Sequence, residues 1–506
     1  MSQDITLAHV FRHEDCWYIF DTVTSQLYEC NDVVAAVVPH LDKIDQEHVR
    51  KNLVQRWGEE AVAATLLEID QLRRETGALT PVTLDIQPLS QKRYDPSKYE
   101  NEIRQLQLTV AEQCNLRCRY CPYTLGRPGA RRHQDVFMSR ETALAAVDFF
   151  LARCSAVDRP GISFYGGEPL LNIPVMHAVI ERARSHPAGE RIIINVDTNG
   201  LIIDEDIARW LVDNRINTQI SLDGPAHVHD RYRTALSGCG SHARVIAGIE
   251  RLLALDPEYH RLLSFNAVLA PPYRVFADVV DYFSSFPPYK KFGIADPPDA
   301  SLGFADLSYM DFTPVAEMSR EPLSVDQVLA PYEVYYKTEC AAGRHEQLPP
   351  VVRSLFDADV IGYHQRSRSI LTSGPFVPTG SCQPGQRKLH VRADGSLLPC
   401  ERGNDIMFIG HVRHGIDLRA VEALYRSLVD PVAERCRSCW AIRLCKLCFI
   451  HLAVSQSEQR RDEAMAIPES FCAQSRLEAE QALRYYLTLE RAGGEGLAWL
   501  QKITRL

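Results

Sequence analysis

The chain has 506 residues, with 56 basic side chains against 65 acidic ones, a net charge of −9 and 15 cysteines. That length holds roughly two to four domains, and a 45% hydrophobic, 24% charged composition is that of a globular protein. The acidic balance argues against a nucleic-acid partner, and no apolar run is long enough to span a bilayer, which argues against a membrane one.

In chain order, residues 1–80 read as one unit. Ala8–Arg12, Cys16–Phe20 and Gln26–Cys30 are expected strands, with turns at His13–Asp15 and Ser25. Asn31-Asp32 then caps a helix, and amphipathic helices follow near Asp45–Trp57 and Glu59–Thr76. Three short strands backed by helices give a winged-helix-like α+β domain of the kind that recognises peptides. Residues 81–102, with Pro81, Pro88 and Pro96, read as a linker. Met1–Thr6 has no basic segment followed by an apolar one, so the expected location is cytoplasmic.

Between 103 and 295, strands and helices alternate. Strands are expected at Gln105–Ala111, Ile162–Tyr165, Ile192–Val196, Thr218–Leu222, Leu263–Leu269 and Lys291–Ile294. Six such units predict an α/β fold, a partial (β/α)6 TIM-type barrel with helices outside and chemistry at the C-terminal ends of the strands. Residues 296–378 read as a bridging region with a helix near Val325–Cys340 and an apolar segment near Val351–Gly362. A cysteine-rich domain covers 379–480, and 481–506 is a C-terminal helical tail. Clustered cysteines in a large chain without an export signal point to metal or redox chemistry rather than disulfides.

The first strand runs into Cys114-x3-Cys118-x2-Cys121, with Tyr120 before the last cysteine. Three thiolates in eight residues can converge on one soft metal centre, and a four-iron cluster held this way keeps one iron free. Zinc would take a fourth ligand nearby, and the nearest candidate, His133, stands well down the loop. The spacing resembles the defining motif of the radical S-adenosylmethionine (SAM) superfamily, whose usual core is a partial barrel. The resemblance implies a SAM-binding [4Fe-4S] cluster on Cys114, Cys118 and Cys121.

Further strand ends fit the same resemblance. Gly166-Gly167-Glu168-Pro169 resembles the segment that receives the SAM amino group, since glycines let backbone approach a ligand and a carboxylate accepts from an ammonium. Thr198 and Asn199 could address a ribose, Ser221 and Asp223 end the fourth strand, and Asn266 belongs to the fifth. An anion such as the methionine carboxylate needs a guanidinium. Arg233 fits the family's arginine after His229-Asp230, with Arg231 as competitor.

A second cysteine group comprises Cys382, Cys400, Cys436, Cys439, Cys445, Cys448 and Cys472. The two C-x2-C pairs could form a zinc ribbon, but that would strand the other three. The pattern resembles the SPASM extension of radical SAM enzymes, which houses two auxiliary [4Fe-4S] clusters, although two residues rather than three separate Cys445 from Cys448. Family topology implies Cys436, Cys439, Cys445 and Cys472 for an outer cluster and Cys382, Cys400 and Cys448 for an inner one. Two closed clusters need eight thiolates and this region has seven, so the inner cluster is expected to have an open iron unless a scattered cysteine fills it. Glu401 stands where sulfatase-maturing relatives have an aspartate proton acceptor. The basic loop Arg127–His133 could cover the site.

Taken together, the resemblance implies a peptide maturase that forms an intrapeptide thioether. Carbon–carbon crosslinking, formylglycine-type oxidation and a non-enzymatic iron–sulfur peptide-binding or electron-carrying protein are the alternatives. The implied partners are a precursor peptide with a leader segment, bound by the N-terminal unit, and a low-potential donor of the flavodoxin or ferredoxin type.

Overall fold

The computed structural model describes residues 4–89, 94–125, 132–304, 324–378, 380, 382–403, 407–452, 467–492 and 496–502. Its first unit is an antiparallel sheet of β1 (Ala8–His13), β2 (Cys16–Asp21) and β3 (Gln26–Cys30) in the order β1-β2-β3. Helices α1 (Asp32–Val37), α2 (Glu47–Trp57) and α3 (Glu59–Thr76) follow, with the Asn31 side chain accepting from Val34 N–H as the cap of α1. Ile19, Val37, Leu53, Val62 and Ile69 bury a core between this sheet and its helices.

The segment expected to be a linker contributes β4 (Leu84–Ile86). The barrel elements are β5 (Gln105–Ala111), α4 (Arg140–Leu151), β6 (Gly161–Gly166), α5 (Ile173–Arg184), β7 (Ile193–Thr198), α6 (Glu205–Asp213), β8 (Asn217–Ser221), α7 (Ala226–Tyr232), α8 (His242–Leu255), β9 (Leu263–Leu269) and α9 (Phe276–Ser284). The expected strand at Lys291–Ile294 is not one. Pro287 and Pro288 start a short helix, Pro287–Lys291, as proline favours at a first helical turn. The sixth parallel strand, β10 (Asp299–Phe304), pairs with β9 in what was read as the bridging region. There α10 (Val325–Ala341) falls where a helix is expected, and the apolar segment after it forms a second helix, α11 (Pro350–His364).

β11 (Gly374–Phe376) pairs with β4. The remaining elements are β12 (Leu389–Val391), β13 (Ser396–Leu398), β14 (Gly410–His411), β15 (Gly415–Ile416), α12 (Leu418–Val429) and α13 (Glu469–Arg491). The main sheet has the order β10-β9-β8-β7-β6-β5-β12-β13-β14-β15. β5 to β10 and β12 run parallel, and β13 to β15 turn back as an antiparallel meander.

The two faces of this sheet differ in chemistry. Leu106, Leu108, Val110, Ile162, Phe164, Ile194, Val196, Ile220 and Phe265 join the buried core beneath the helices. Period-2 alternation gives the other face Gln105, Gln107, Thr109, Ser163, Tyr165, Asn195, Asp197, Asn217, Gln219, Ser221, Ser264 and Asn266. A closed barrel packs its interior with bulky branched side chains. This one is lined with groups that hydrogen-bond. Three strand spacings separate β7 from β12, about 14 Å in a flat sheet, yet Asp197 on β7 lies within the field of Lys388, next to β12. Lys388 and Asp197 therefore belong to the same polar face of the sheet.

The N-terminal unit is fastened to the cysteine-rich end. His9 stacks on Trp440 with ring centroids 4.0 Å apart, and its Nε2 is 2.8 Å from Glu480 of α13. Thr22 Oγ1 donates to Trp440 O at 2.6 Å. Arg443 donates to Val23 O and Arg366 to Ser25 O, so two arginines grip the β2–β3 turn. Among the described residues no helix is long and apolar enough to cross a membrane.

Candidate functional site

β5 delivers the first cysteine loop at its C-terminal end, and the loop is laced to the chain after α7. Arg117 N–H donates to Thr234 O at 2.8 Å and Arg119 N–H to Tyr232 O at 3.0 Å. Cys114, Leu116, Cys118 and Leu201 form a small buried cluster against which Tyr120 and Cys121 pack. The Cys114 sulfur accepts from Leu116 N–H at 3.4 Å and from Asn199 Nδ2 at 3.6 Å. Arg233 Nη1 is 3.9 Å from the Cys118 sulfur, and His133 Nε2 is 3.9 Å from that of Cys121. His133 therefore comes back beside the loop although it is distant in sequence. Burial pushes the thiols of Cys114 and Cys118 up, to about 11 and about 12.

The glycine pair lies against this loop. Gly167 N–H donates to Ala111 O at 2.8 Å and Glu168 N–H to Gln113 O at 2.9 Å. A Cβ on Gly167 would stand 2.3 Å from Gln113 O, so only glycine allows the approach. The approach leaves Glu168 fully buried. Its Oε1 accepts from Thr198 Oγ1 at 2.7 Å and Leu170 N–H at 3.0 Å, and its Oε2 accepts from Asn199 N–H at 2.8 Å. Burial nevertheless raises its carboxyl to about 7 against those three hydrogen bonds. A cation brought to it would relieve that penalty.

Asp223 organises the third side. Its Oδ2 accepts from Tyr120 OH at 2.5 Å and Arg233 Nε at 3.1 Å, and its Oδ1 accepts from Val268 N–H at 3.0 Å. Arg233, rather than Arg231, is the arginine at the cysteines. Ser221 pairs in register with Asn266, whose Oδ1 lies 3.4 Å from Ser301 Oγ. Pro169 opens the turn after Glu168. Asp223→Asn strands a buried guanidinium and is expected to lower stability by about 3–5 kcal/mol, measured by urea denaturation.

The Radical SAM superfamily profile matches residues 108–266, which span the cysteine loop, Glu168, Asp223, Arg233 and Asn266. This segment is where the chain resembles radical SAM enzymes. It is 28% identical over 167 residues to a cysteine-type anaerobic sulfatase-maturating enzyme of Clostridium novyi, covering 31% of this chain and 42% of that protein. It is 27% identical over 196 residues to a radical SAM cyclopropyl synthase of Paramaledivibacter caminithermalis, covering 36% and 38%. The chain thus spans less than half the length of these curated relatives. The solved structure of anSMEcpe with bound AdoMet superposes with a TM-score of 0.53 at 19% identity, over 77% of this chain and 98% of that one, a likeness of fold.

The radical SAM residues suit the superfamily's SAM and [4Fe-4S] cluster. Asn115 Nδ2 is buried without a partner beside Cys114, a spare donor for a sulfur-rich group.

The second cysteine group separates into two sets. The fields of Cys439, Cys445 and Cys472 all reach Cys436, and those of Cys448 and Cys382 reach Cys400. The scattered cysteines lie elsewhere. Cys340 sits against Asp357 and Tyr336, Cys154 near Arg191, Cys30 near Glu29 and Asp32, Cys16 by Arg491, and Cys239 is exposed. None of them supplies an eighth thiol to either set.

Glu401 departs from the rule that the motifs gather at strand C-termini. Leu389 pairs with Leu106 and His390 with Leu398, so Lys388 and Cys400 are level with the start of β5. Glu401 reaches into the polar face from below, its Oε1 3.0 Å from Lys388 Nζ and its Oε2 buried without a partner. Sequence reasoning passed over Lys388, Asp197 and the Glu112–Arg392 ion pair, which at 3.0 Å ties the cysteine loop to the strand segment after β12. The polar alternation Asn195-x-Asp197 was the available signal for Asp197. Residues 127–131 of the basic loop lie outside the described residues.

Proposed function

We propose that the protein is a peptide maturase that forms a thioether between a cysteine sulfur and a carbon of the same ribosomally made peptide. The observation that carries this reading is the pair of cysteine assemblies at the two ends of β5, one past its C-terminal end with three thiols and an inner set level with its start with three where a closed cluster takes four. Cys114, Cys118 and Cys121 would hold the SAM-binding cluster. Glu168 would accept the methionine ammonium, Arg233 the carboxylate, and Thr198, Asn199 and Ser221 would fix the nucleoside. Bound there and reduced by one electron, the cofactor pair supplies hydrogen-atom abstraction from an unactivated carbon.

The chain's own residues would do the rest. Cys436, Cys439, Cys445 and Cys472 would close an outer cluster, and Cys382, Cys400 and Cys448 an inner one with room for a substrate thiolate. Among the described residues no strand pairs with the outer edge of β3, so an extended leader segment could add there as a fourth strand. The grip of Trp440, Arg443 and Arg366 on the β2–β3 turn keeps that edge fixed relative to the polar face. A flavodoxin- or ferredoxin-type donor would supply the electron.

Likeness to a sulfatase-maturating enzyme supports a second reading, oxidation of a single side chain to formylglycine, with Glu401 as base. Co-expression with a short cysteine-containing peptide encoded beside the gene separates the two. The thioether reading expects loss of two hydrogens and a cysteine that no longer alkylates. An aldehyde trapped by hydrazine supports the second reading, and a peptide recovered unchanged counts against both.

A further inference from the structure

We infer that Asp197, rather than Glu401, takes the proton that the substrate loses at the polar face. The inference rests on the reading of the polar face as the reaction chamber. On the inward faces of β5 to β9, Asp197 is the charged side chain among amides and hydroxyls. Its neighbours are satisfied in pairs. Gln105 Nε2 donates to Ser163 Oγ at 2.5 Å, Asn217 Nδ2 to Asn195 Oδ1 at 3.1 Å, and His390 lies 3.1 Å from Thr109 Oγ1 and 3.3 Å from Gln107 Oε1. The Asp197 carboxylate has no such partner among the described residues.

Position favours it too. Asp197 directly precedes Thr198 and Asn199, which bind Glu168, so it stands just below the pocket proposed for SAM. Glu401 starts lower, and Lys388 holds its Oε1 in an ion pair. A carboxylate neutralised by an ammonium is a weaker base than a free one. The groups whose fields reach Asp197 are Lys388, which favours its ionised form, and Glu401, which opposes it, and burial outweighs both to raise its carboxyl to about 6. A base of that strength is well matched to a neutral medium.

The step is a plain proton transfer. A thiol S–H or hydroxyl O–H of the substrate residue breaks, its electron pair stays on sulfur or oxygen, and the proton passes to an Asp197 carboxylate oxygen and then to solvent. Both the thioether and the formylglycine readings need such a step.

Asp197→Asn, Asp197→Glu and Glu401→Gln test this in the full, cluster-loaded chain. In the enzyme without SAM or peptide, the infrared carboxyl component with a midpoint near 6 should vanish in Asp197→Asn and persist in Asp197→Glu, while the Glu168 component near 7 remains in both. In turnover with the cysteine-containing peptide found by co-expression, Asp197→Asn should cut modified peptide per 5′-deoxyadenosine by about 10²-fold or more. The acid limb of its pH profile should disappear, KM should hold, and Asp197→Glu should restore part of the loss. A wild-type ratio and pH profile in Asp197→Asn, or the larger loss in Glu401→Gln, would overturn the assignment. The infrared titration decides whether Asp197 carries the titrating proton even if the peptide-maturase reading fails.

Discussion

Cys118→Ala is expected to abolish SAM cleavage and to remove about four irons per chain, while the signals of the auxiliary clusters persist. The reasoning is geometric. Cys118 is the middle ligand of the loop, and its sulfur is the one beside Arg233. Two thiolates cannot hold a cube against loss to solvent, and no other cysteine packs with this buried loop cluster. Iron and sulfide analysis with electron paramagnetic resonance checks the cluster, and chromatography checks 5′-deoxyadenosine. Retention of a full iron complement in Cys118→Ala would mean that the loop thiols are not the ligands.

Glu168 gives the second large effect, through pH. Its carboxyl rises from an ordinary 4.5 to about 7 in the fold, so between those values the folded protein holds a proton that the unfolded chain has released. Stability therefore falls as pH rises through this window, by an amount that reaches about 3 kcal/mol above pH 7. An ammonium bound to Glu168 favours the ionised form and removes the penalty. SAM should accordingly raise the melting temperature more at pH 8 than at pH 5. Glu168→Gln should weaken SAM binding by about 10²-fold, because it removes the charge that meets the ammonium, and should flatten that dependence, because its amide does not titrate. Equal stabilisation by SAM at both pH values would exclude contact between Glu168 and the cofactor's ammonium.

Much of this architecture was legible because periodicity and spacing are local. Gln105–Ala111 and Leu263–Leu269 begin and end where their alternation does, and Asn31 caps the helix it was expected to cap. Lys291–Ile294 misled because its short apolar pattern ignored the two prolines ahead of it, which commit the chain to a helical turn. β10 was passed over because Asp299–Phe304 mixes glycine, serine and alanine and draws its strand character from pairing with β9. No local signal marks β12 as the continuation of β5, since a register between residues 283 apart in sequence is a tertiary fact. For the same reason the motif residues were readable while their supports were not. Asp223 was expected near SAM, but its binding of Tyr120, Arg233 and Val268 together depends on three separate elements. Glu401 stands in the sequence as a candidate base or a salt-bridge partner, and the Lys388 that pairs with it comes from the adjoining hairpin.

The central claim is that the three-cysteine loop, the buried Glu168 and the Asp223–Arg233 pair form one SAM-cleaving centre. The most direct measurement is anaerobic incubation of the reconstituted, dithionite-reduced protein with SAM, followed by quantitation of 5′-deoxyadenosine. The account predicts 5′-deoxyadenosine and methionine in equal amounts from the wild type and neither from Cys118→Ala. A fully reconstituted and reduced protein that leaves SAM intact would contradict it.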